Sequence, residues 1–265
     1  MNSHKQTIAV LDSGVGGLSI VHSIRTIAPH FSIIYGCDNK NFPYGPKPPE
    51  KVTQCVTQIT EQIINRFSPN LIVIACNTAS TVALETLRDL TSTPIIGVVP
   101  AIKPAALKSK SKVIGLLATP GTVQRSYTQN LIREHASHCR VIKIGSTRLV
   151  EIAEEKLRQK KVNLEEIKQE ISPFFNSNTE AQLDTIVLGC THFPLLLEEF
   201  KAVVPYPIQW VDSSEAIANR VTTLAQHGKV PSPSFTAAFS ELNDYAKALT
   251  PYLSNLGFSH IVELK

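Results

Sequence analysis

Two cysteines, Cys76 and Cys190, stand in matching settings. Each follows a β-branched apolar run and one small residue, with threonine close behind: Leu71-Ile-Val-Ile-Ala-Cys-Asn-Thr78 and Thr185-Ile-Val-Leu-Gly-Cys-Thr191. A thiol placed where a strand gives way to a helix lies at the positive end of the helix dipole, which favours the thiolate. Asn77, Thr78 and Thr191 put amide, hydroxyl and backbone donors around the same points. A single cysteine after a buried strand is ordinarily a small core residue. Two in like settings, each followed by polar residues, point to chemistry. The reaction that needs two similar groups is proton transfer on both faces of one carbon. One group removes a proton, the other returns one, and the roles exchange with the handedness of the substrate. That is racemisation. A Cys–His hydrolase could use Cys190 with His192, but it leaves Cys76 idle. A disulfide oxidoreductase would show a close C-x-x-C pair, and the sequence has none. A non-catalytic binding module would need neither thiol.

Other residues could serve the same chemistry. Asp12-Ser13 precedes Gly14-Val-Gly-Gly17. The spacing is neither G-x-G-x-x-G nor a P-loop, so the glycines read as a tight strand-to-helix turn and not as a nucleotide site. Asp12, at a predicted strand end, could pair with an ammonium group or tune a nearby thiol. His192, two residues after Cys190, is placed to adjust that thiol's proton affinity. Residues 37–46 form a polar loop carrying Phe42 and Tyr44, a candidate substrate wall. Glu151 opens a helix of mixed charge and reads equally as a solvated helix end or a functional acid. Cys37, Cys55 and Cys139 lack comparable settings and read as structural.

These residues need elements to position them. Strand patterns at Thr7–Leu11, Phe31–Tyr35, Leu71–Ala75 and Pro94–Val99 alternate with helical spacing at Leu18–Ile27, Val52–Phe67 and Thr78–Leu90. A second series begins near Val99. It has strands at Val113–Ala118, Arg140–Ile144, Thr185–Leu188 and Ile208–Val211, and helices from Pro120 to about Glu134, Leu149–Leu157, Leu164–Phe175 and Pro194–Val203. Thr119 reads as an N-cap, with Pro120 at the first helical position. Alternation of this kind predicts an α/β fold with mainly parallel sheets, whose sites form beyond the carboxyl ends of the strands. The expected organisation is two similar α/β domains, 1–98 with 211–265 and 99–210, with the active site in the cleft between them.

The chain has 265 residues, 43% hydrophobic and 18% charged, a balance that fits a soluble globular protein with a sizeable core. The net charge of +4 is mild, and no basic face with interleaved aromatics indicates nucleic-acid binding. Five widely spaced cysteines fit reduced thiols in a cytoplasm better than disulfides or structural zinc. Residues 1–6 show no signal-peptide core, and no apolar stretch has membrane-spanning length.

Six stretches carry a resemblance: Leu11-Asp-Ser-Gly-Val-Gly-Gly-Leu18, Asp38 through Pro43-Tyr44-Gly45, Ala75-Cys-Asn-Thr-Ala-Ser80, Ala118-Thr-Pro-Gly-Thr122, Gly189-Cys-Thr-His-Phe-Pro-Leu-Leu196 and Val211-Asp-Ser213. In these the sequence resembles the glutamate racemases of the cofactor-independent aspartate/glutamate racemase family, in order and over nearly the whole chain. The resemblance implies that Cys76 and Cys190 are the acid/base pair, with Asp12 assisting Cys76 and His192 assisting Cys190. It implies that substrate is held by Asp12, Ser13, Tyr44, Gly45, Asn77, Thr78, Thr191 and His192. It aligns Glu151 with the family glutamate that supports the histidine, in a stretch where many members carry Cys-Pro before Val-Glu. The implied reaction interconverts L- and D-glutamate, supplying D-glutamate for peptidoglycan, with neither pyridoxal phosphate nor metal. A homodimer is compatible with it. The neighbouring expectation is an aspartate racemase; Ala79-Ser80 and the Gly189–Pro194 stretch favour glutamate.

Overall fold

The computed structural model describes residues 6–176, 182–225 and 232–265; the reading of residues 1–5 lies outside the described residues. The chain divides into two compact units, Met1–Val98 with Ser214–Lys265, and Val99–Ser213. No helix among the described residues is long and apolar enough to cross a membrane.

The first unit alternates strand and helix: β1 (Thr7–Asp12), α1 (Leu18–Ile27), β2 (Ser32–Cys37), α2 (Pro49–Phe67), β3 (Leu71–Ile74), α3 (Asn77–Leu90) and β4 (Ile95–Gly97). The second runs α4 (Ile102–Lys108), β5 (Val113–Ala118), α5 (Pro120–Gln124), α6 (Ser126–His135), β6 (Arg140–Gly145), α7 (Arg148–Leu157), α8 (Leu164–Ile171), β7 (Thr185–Leu188), α9 (Leu197–Val203) and β8 (Gln209–Val211). The chain then returns to the first unit with α10 (Ser214–Leu224), β9 (Phe235–Phe239), α11 (Asp244–Asn255) and β10 (His260–Glu263).

Every pairing in both sheets is parallel. The six-stranded sheet has the order β10-β9-β2-β1-β3-β4, and the four-stranded sheet β6-β5-β7-β8. The run β2-β1-β3-β4 therefore repeats as β6-β5-β7-β8, and the two cysteines follow equivalent strands, β3 and β7. Central strands are buried along their whole length, as expected where helices cover both faces of a parallel sheet. In the first unit, Leu11, Ile72 and Ile74 pack with Ile59 and Ile63 of α2 and Ala83 and Leu87 of α3. In the second, Ile114, Leu116 and Val187 pack with Ala105 and Ala106 of α4.

Three details differ from the sequence reading. The helix expected from Pro120 to about Glu134 breaks at Arg125, whose backbone is extended at φ −61° and ψ 138°. The helix expected to reach Phe175 ends as α-helix at Ile171. Pro173 has no N–H for the Gln169 carbonyl, and the Ser172 hydroxyl donates to that carbonyl instead, at 3.0 Å. Val211, expected to open the return to the first unit, pairs with Val187 in the second sheet, and the return comes at Ser214.

Candidate active site

In the first unit the candidate residues gather where three neighbouring strands end. Backbone bonds hold these ends in line: Asp38 N donates to Asp12 O at 2.9 Å, and Ala75 N to Leu11 O at 2.7 Å. Asp12, at the end of β1, is buried, and Oδ1 accepts from the Ser13 N–H at 2.6 Å. Gly17 allows this crowding. A β-carbon there would come within 3.0 Å of Asp12 Cβ and 3.1 Å of Ala75 Cβ. Cys76 occupies the N-cap position of α3 with extended backbone, and its side chain caps no N–H. A thiol so placed lies at the positive end of the helix dipole. Asn77 and Thr78 are both buried, and Asn77 Nδ2 has no hydrogen-bond partner among the described residues. Ser80 pins this turn: its hydroxyl donates to Ile74 O and accepts from Val98 N, each at 3.0 Å.

Tyr44 reaches the same cluster from the loop after β2. Its hydroxyl donates to Asp38 Oδ2 at 2.5 Å, and both Asp38 oxygens accept from Asn41 Nδ2 at 3.1 Å. Burial, then the charge and hydrogen bond of Asp38, push the Tyr44 phenol far above its ordinary proton affinity. Tyr44 is therefore held as an O–H donor to Asp38. Gly45 beside it is half-buried. The loop is tied to the end of the chain: Asn39 Nδ2 donates to Glu241 O at 2.8 Å, and Lys40 N to Ser240 Oγ at 3.0 Å.

In the second unit Cys190, Thr191 and His192 follow β7 and are all buried. The expected helix start is displaced. A 3-10 turn, Phe193–Leu196, stands between Cys190 and α9. Cys190 therefore does not stand at the start of an α-helix, and its thiol meets the His192 side chain. His192 Nδ1 lies 3.7 Å from Cys190 Sγ, and His192 Nε2 lies 2.8 Å from Glu154 Oε1. The His192 and Glu154 side chains are 4% and 1% exposed. Burial lowers the imidazole's proton affinity, but the bonds and negative charge of Cys190 and Glu154 outweigh it and hold it well above the ordinary value. In the protonated form that this setting favours, His192 donates to Glu154 from Nε2 and can donate to a Cys190 thiolate from Nδ1.

Glu151 does not support the histidine. Its carboxylate is half-exposed and pairs with Arg148 at 3.1 Å; Arg148 also meets Glu166 at 2.8 Å. The reason is helical phase. Arg148, Glu151, Glu155 and Arg158 form the outward stripe, whereas Val150, Glu154 and Leu157 line the buried face of α7. The signal was available in the sequence: Glu154 is an acid at a position of that stripe where an apolar residue is expected. Asp38 was also passed over, although it opens the loop motif that ends on Gly45. No group of His, Cys, Asp and Glu suited to a metal occurs among the described residues.

Fold and local geometry define a parallel α/β enzyme with a buried thiol at the equivalent strand end of each unit. The Asp/Glu/Hydantoin racemase family model matches residues 18–221. Glutamate racemase of Photorhabdus laumondii is 45% identical over 263 residues, covering 98% of this chain and 91% of that one. Glutamate racemase of Histophilus somni is 50% identical over 222 residues, covering 84% and 82%. The crystal structure of Escherichia coli glutamate racemase in complex with L-glutamate and the activator UDP-MurNAc-Ala superposes with a TM-score of 0.93 at 42% identity, covering 98% of each chain. The chain belongs to the Asp/Glu/Hydantoin racemase family. It is an amino-acid racemase, an isomerase.

Proposed function

We propose that this racemase interconverts L- and D-glutamate through Cys76 and Cys190, acting on opposite faces of the α-carbon. The observation that carries the reading is the pair of buried thiols at equivalent strand ends of two sheets with one strand order. The thiolate of one cysteine takes the α-proton and becomes a thiol. The S–H of the other cysteine gives its proton to the opposite face and becomes a thiolate. The enzyme is left in the form that acts on the opposite enantiomer, and proton exchange with solvent restores the first thiolate before another turnover in the same direction. Asp12 assists Cys76. His192, oriented by Glu154, assists Cys190 by donating to its thiolate. Asn77, whose buried Nδ2 has no partner among the described residues, supplies donors to a substrate carboxylate. Ser13, Tyr44, Gly45, Thr78 and Thr191 complete the binding set. The similarity to curated glutamate racemases supports glutamate as substrate. The product D-glutamate enters peptidoglycan, and the enzyme works in the reducing cytoplasm that its five free thiols suit.

Incubation in deuterated water with L-glutamate, D-glutamate and L-aspartate tests the reading. Deuterium should enter the α-position of the product enantiomer of glutamate, and L-aspartate should turn over at least about a hundredfold more slowly. Cys76→Ala and Cys190→Ala should each reduce racemisation by about 10³-fold or more. Near-normal turnover in either variant would overturn the two-thiol scheme, and faster turnover of aspartate would overturn the substrate.

A further inference from the structure

We propose that Asp38 is a positioning residue for the Cys76 side of the reaction, acting through the Tyr44 hydroxyl; the inference rests on the two-cysteine reading above. Asp38 is a buried carboxyl group, 2% exposed, with no basic side chain among its hydrogen-bond partners in the described residues. A buried carboxyl group needs hydrogen-bond partners to offset its removal from water. Both bonded side chains come from its own loop: Asn41 donates to both oxygens, and Tyr44 donates to Oδ2 at 2.5 Å. The Asp38 N–H is held by Asp12 O at 2.9 Å, so the loop is anchored on the end of β1, whose neighbour β3 leads into Cys76. One carboxylate thereby closes the segment 38–44 and sets the tyrosine ring within the cluster that contains Cys76.

The Asp38 bond also decides what Tyr44 can offer. The phenol proton is committed to Asp38, so Tyr44 turns only oxygen lone pairs and its ring toward the other groups of the cluster. Without that bond the hydroxyl would be free to rotate and donate to a Cys76 thiolate or a substrate carboxylate, and the loop would lose its internal tie. Because Asp38 and Tyr44 belong to the unit that carries Cys76, their loss should disturb the proton transfer at Cys76 and spare the one at Cys190.

Enantiomers have an equilibrium constant of unity, so kcat/KM must change equally in both directions. The directional readout is the isotope effect of α-deuterated substrate. Asp38→Asn and Tyr44→Phe break the same bond from its two ends. Each should lower kcat/KM by about tenfold to a hundredfold. Each should raise the α-deuterium isotope effect with one enantiomer, the one from which Cys76 abstracts, and not with the other. The double variant should be no worse than the weaker single one. A matching rise with both enantiomers, additive losses, or unchanged kinetics in both single variants overturns the inference. Should Asp38→Asn not fold, Tyr44→Phe decides it: a direction-specific rise supports the proposal, and its absence overturns it. Cys76→Ala is measured alongside. Activity retained there defeats the two-cysteine reading itself, whereas an inactive Cys76→Ala with an indifferent Tyr44→Phe defeats only the role of Asp38.

Discussion

At the scale of single residues, the two thiols have unlike surroundings. Cys76 sits at a helix N-terminus, whereas Cys190 has the His192 ring 3.7 Å away, itself held by a buried carboxylate. Glu154 and not Glu151 does the holding, and the two positions make a matched pair for experiment. Glu154→Gln should lower kcat/KM by about tenfold or more, because the histidine loses the acceptor that orients it. Glu151→Gln should leave kinetics unchanged and alter stability by less than about 0.5 kcal/mol, since it removes one exposed ion pair. The sign of the pH effect on stability follows from His192. Its folded-state proton affinity is raised, so its contribution is complete below the ordinary imidazole value of 6.5 and declines as pH rises through the higher folded value. Wild type should therefore exceed Glu154→Gln in unfolding free energy by more at about pH 6 than at about pH 9. Urea titration of both proteins at the two pH values checks this, and a gap that widens with pH would contradict the assignment.

At the scale of elements, strand ends and helix phase decide which side chains meet. The Cys76 turn is stitched by Ser80, whose hydroxyl joins the ends of β3 and β4. Ser80→Ala should cost about 1 kcal/mol in urea unfolding, because the Val98 N–H keeps a backbone bond to Ile74 O at 3.1 Å while the hydroxyl's own bonds vanish. A cost above about 3 kcal/mol would mean that the turn itself had collapsed. The strand core β5 and β7 and the Thr119 N-cap were legible because β-branched runs and the Thr-Pro pair are strong local signals. The break at Arg125 had no comparable marker. The displaced start of α9 was not legible either, because proline is compatible with the first turn of both helix types.

For the whole molecule, the tail does more than lengthen the chain. β9 pairs with β2 and β10 with β9, so the sheet edge that carries the Asp38–Gly45 loop is covered by the last thirty or so residues. Asn39 and Lys40 are bonded to Glu241 and Ser240 just after β9. In the sequence this segment carries no diagnostic motif. Phe239 is fully buried at the end of β9, and Phe239→Ala should lose about 3–5 kcal/mol of stability. Loosening of this edge should also reach the loop, so that KM for glutamate rises at temperatures well below the unfolding midpoint. A variant with the lowered midpoint and an unchanged KM would separate the tail from the loop.

By itself, the sequence determined the α/β class, the two matching cysteine-bearing strands, the polar loop after β2, and the family, because periodicity, turn residues and short ordered motifs are local properties of the chain. Tertiary structure alone decided that Glu154 meets His192, that Asp38 holds Tyr44, and that the tail buttresses the loop between them in sequence. These are contacts across 38 residues for the histidine pair and about 200 for the loop and tail. Asp38 and Tyr44 are only six residues apart, yet their contact depends on how the loop folds back against the sheet. No spacing rule reports such pairings, since they arise from which buried face a helix turns inward and which strand edge remains open for the end of the chain.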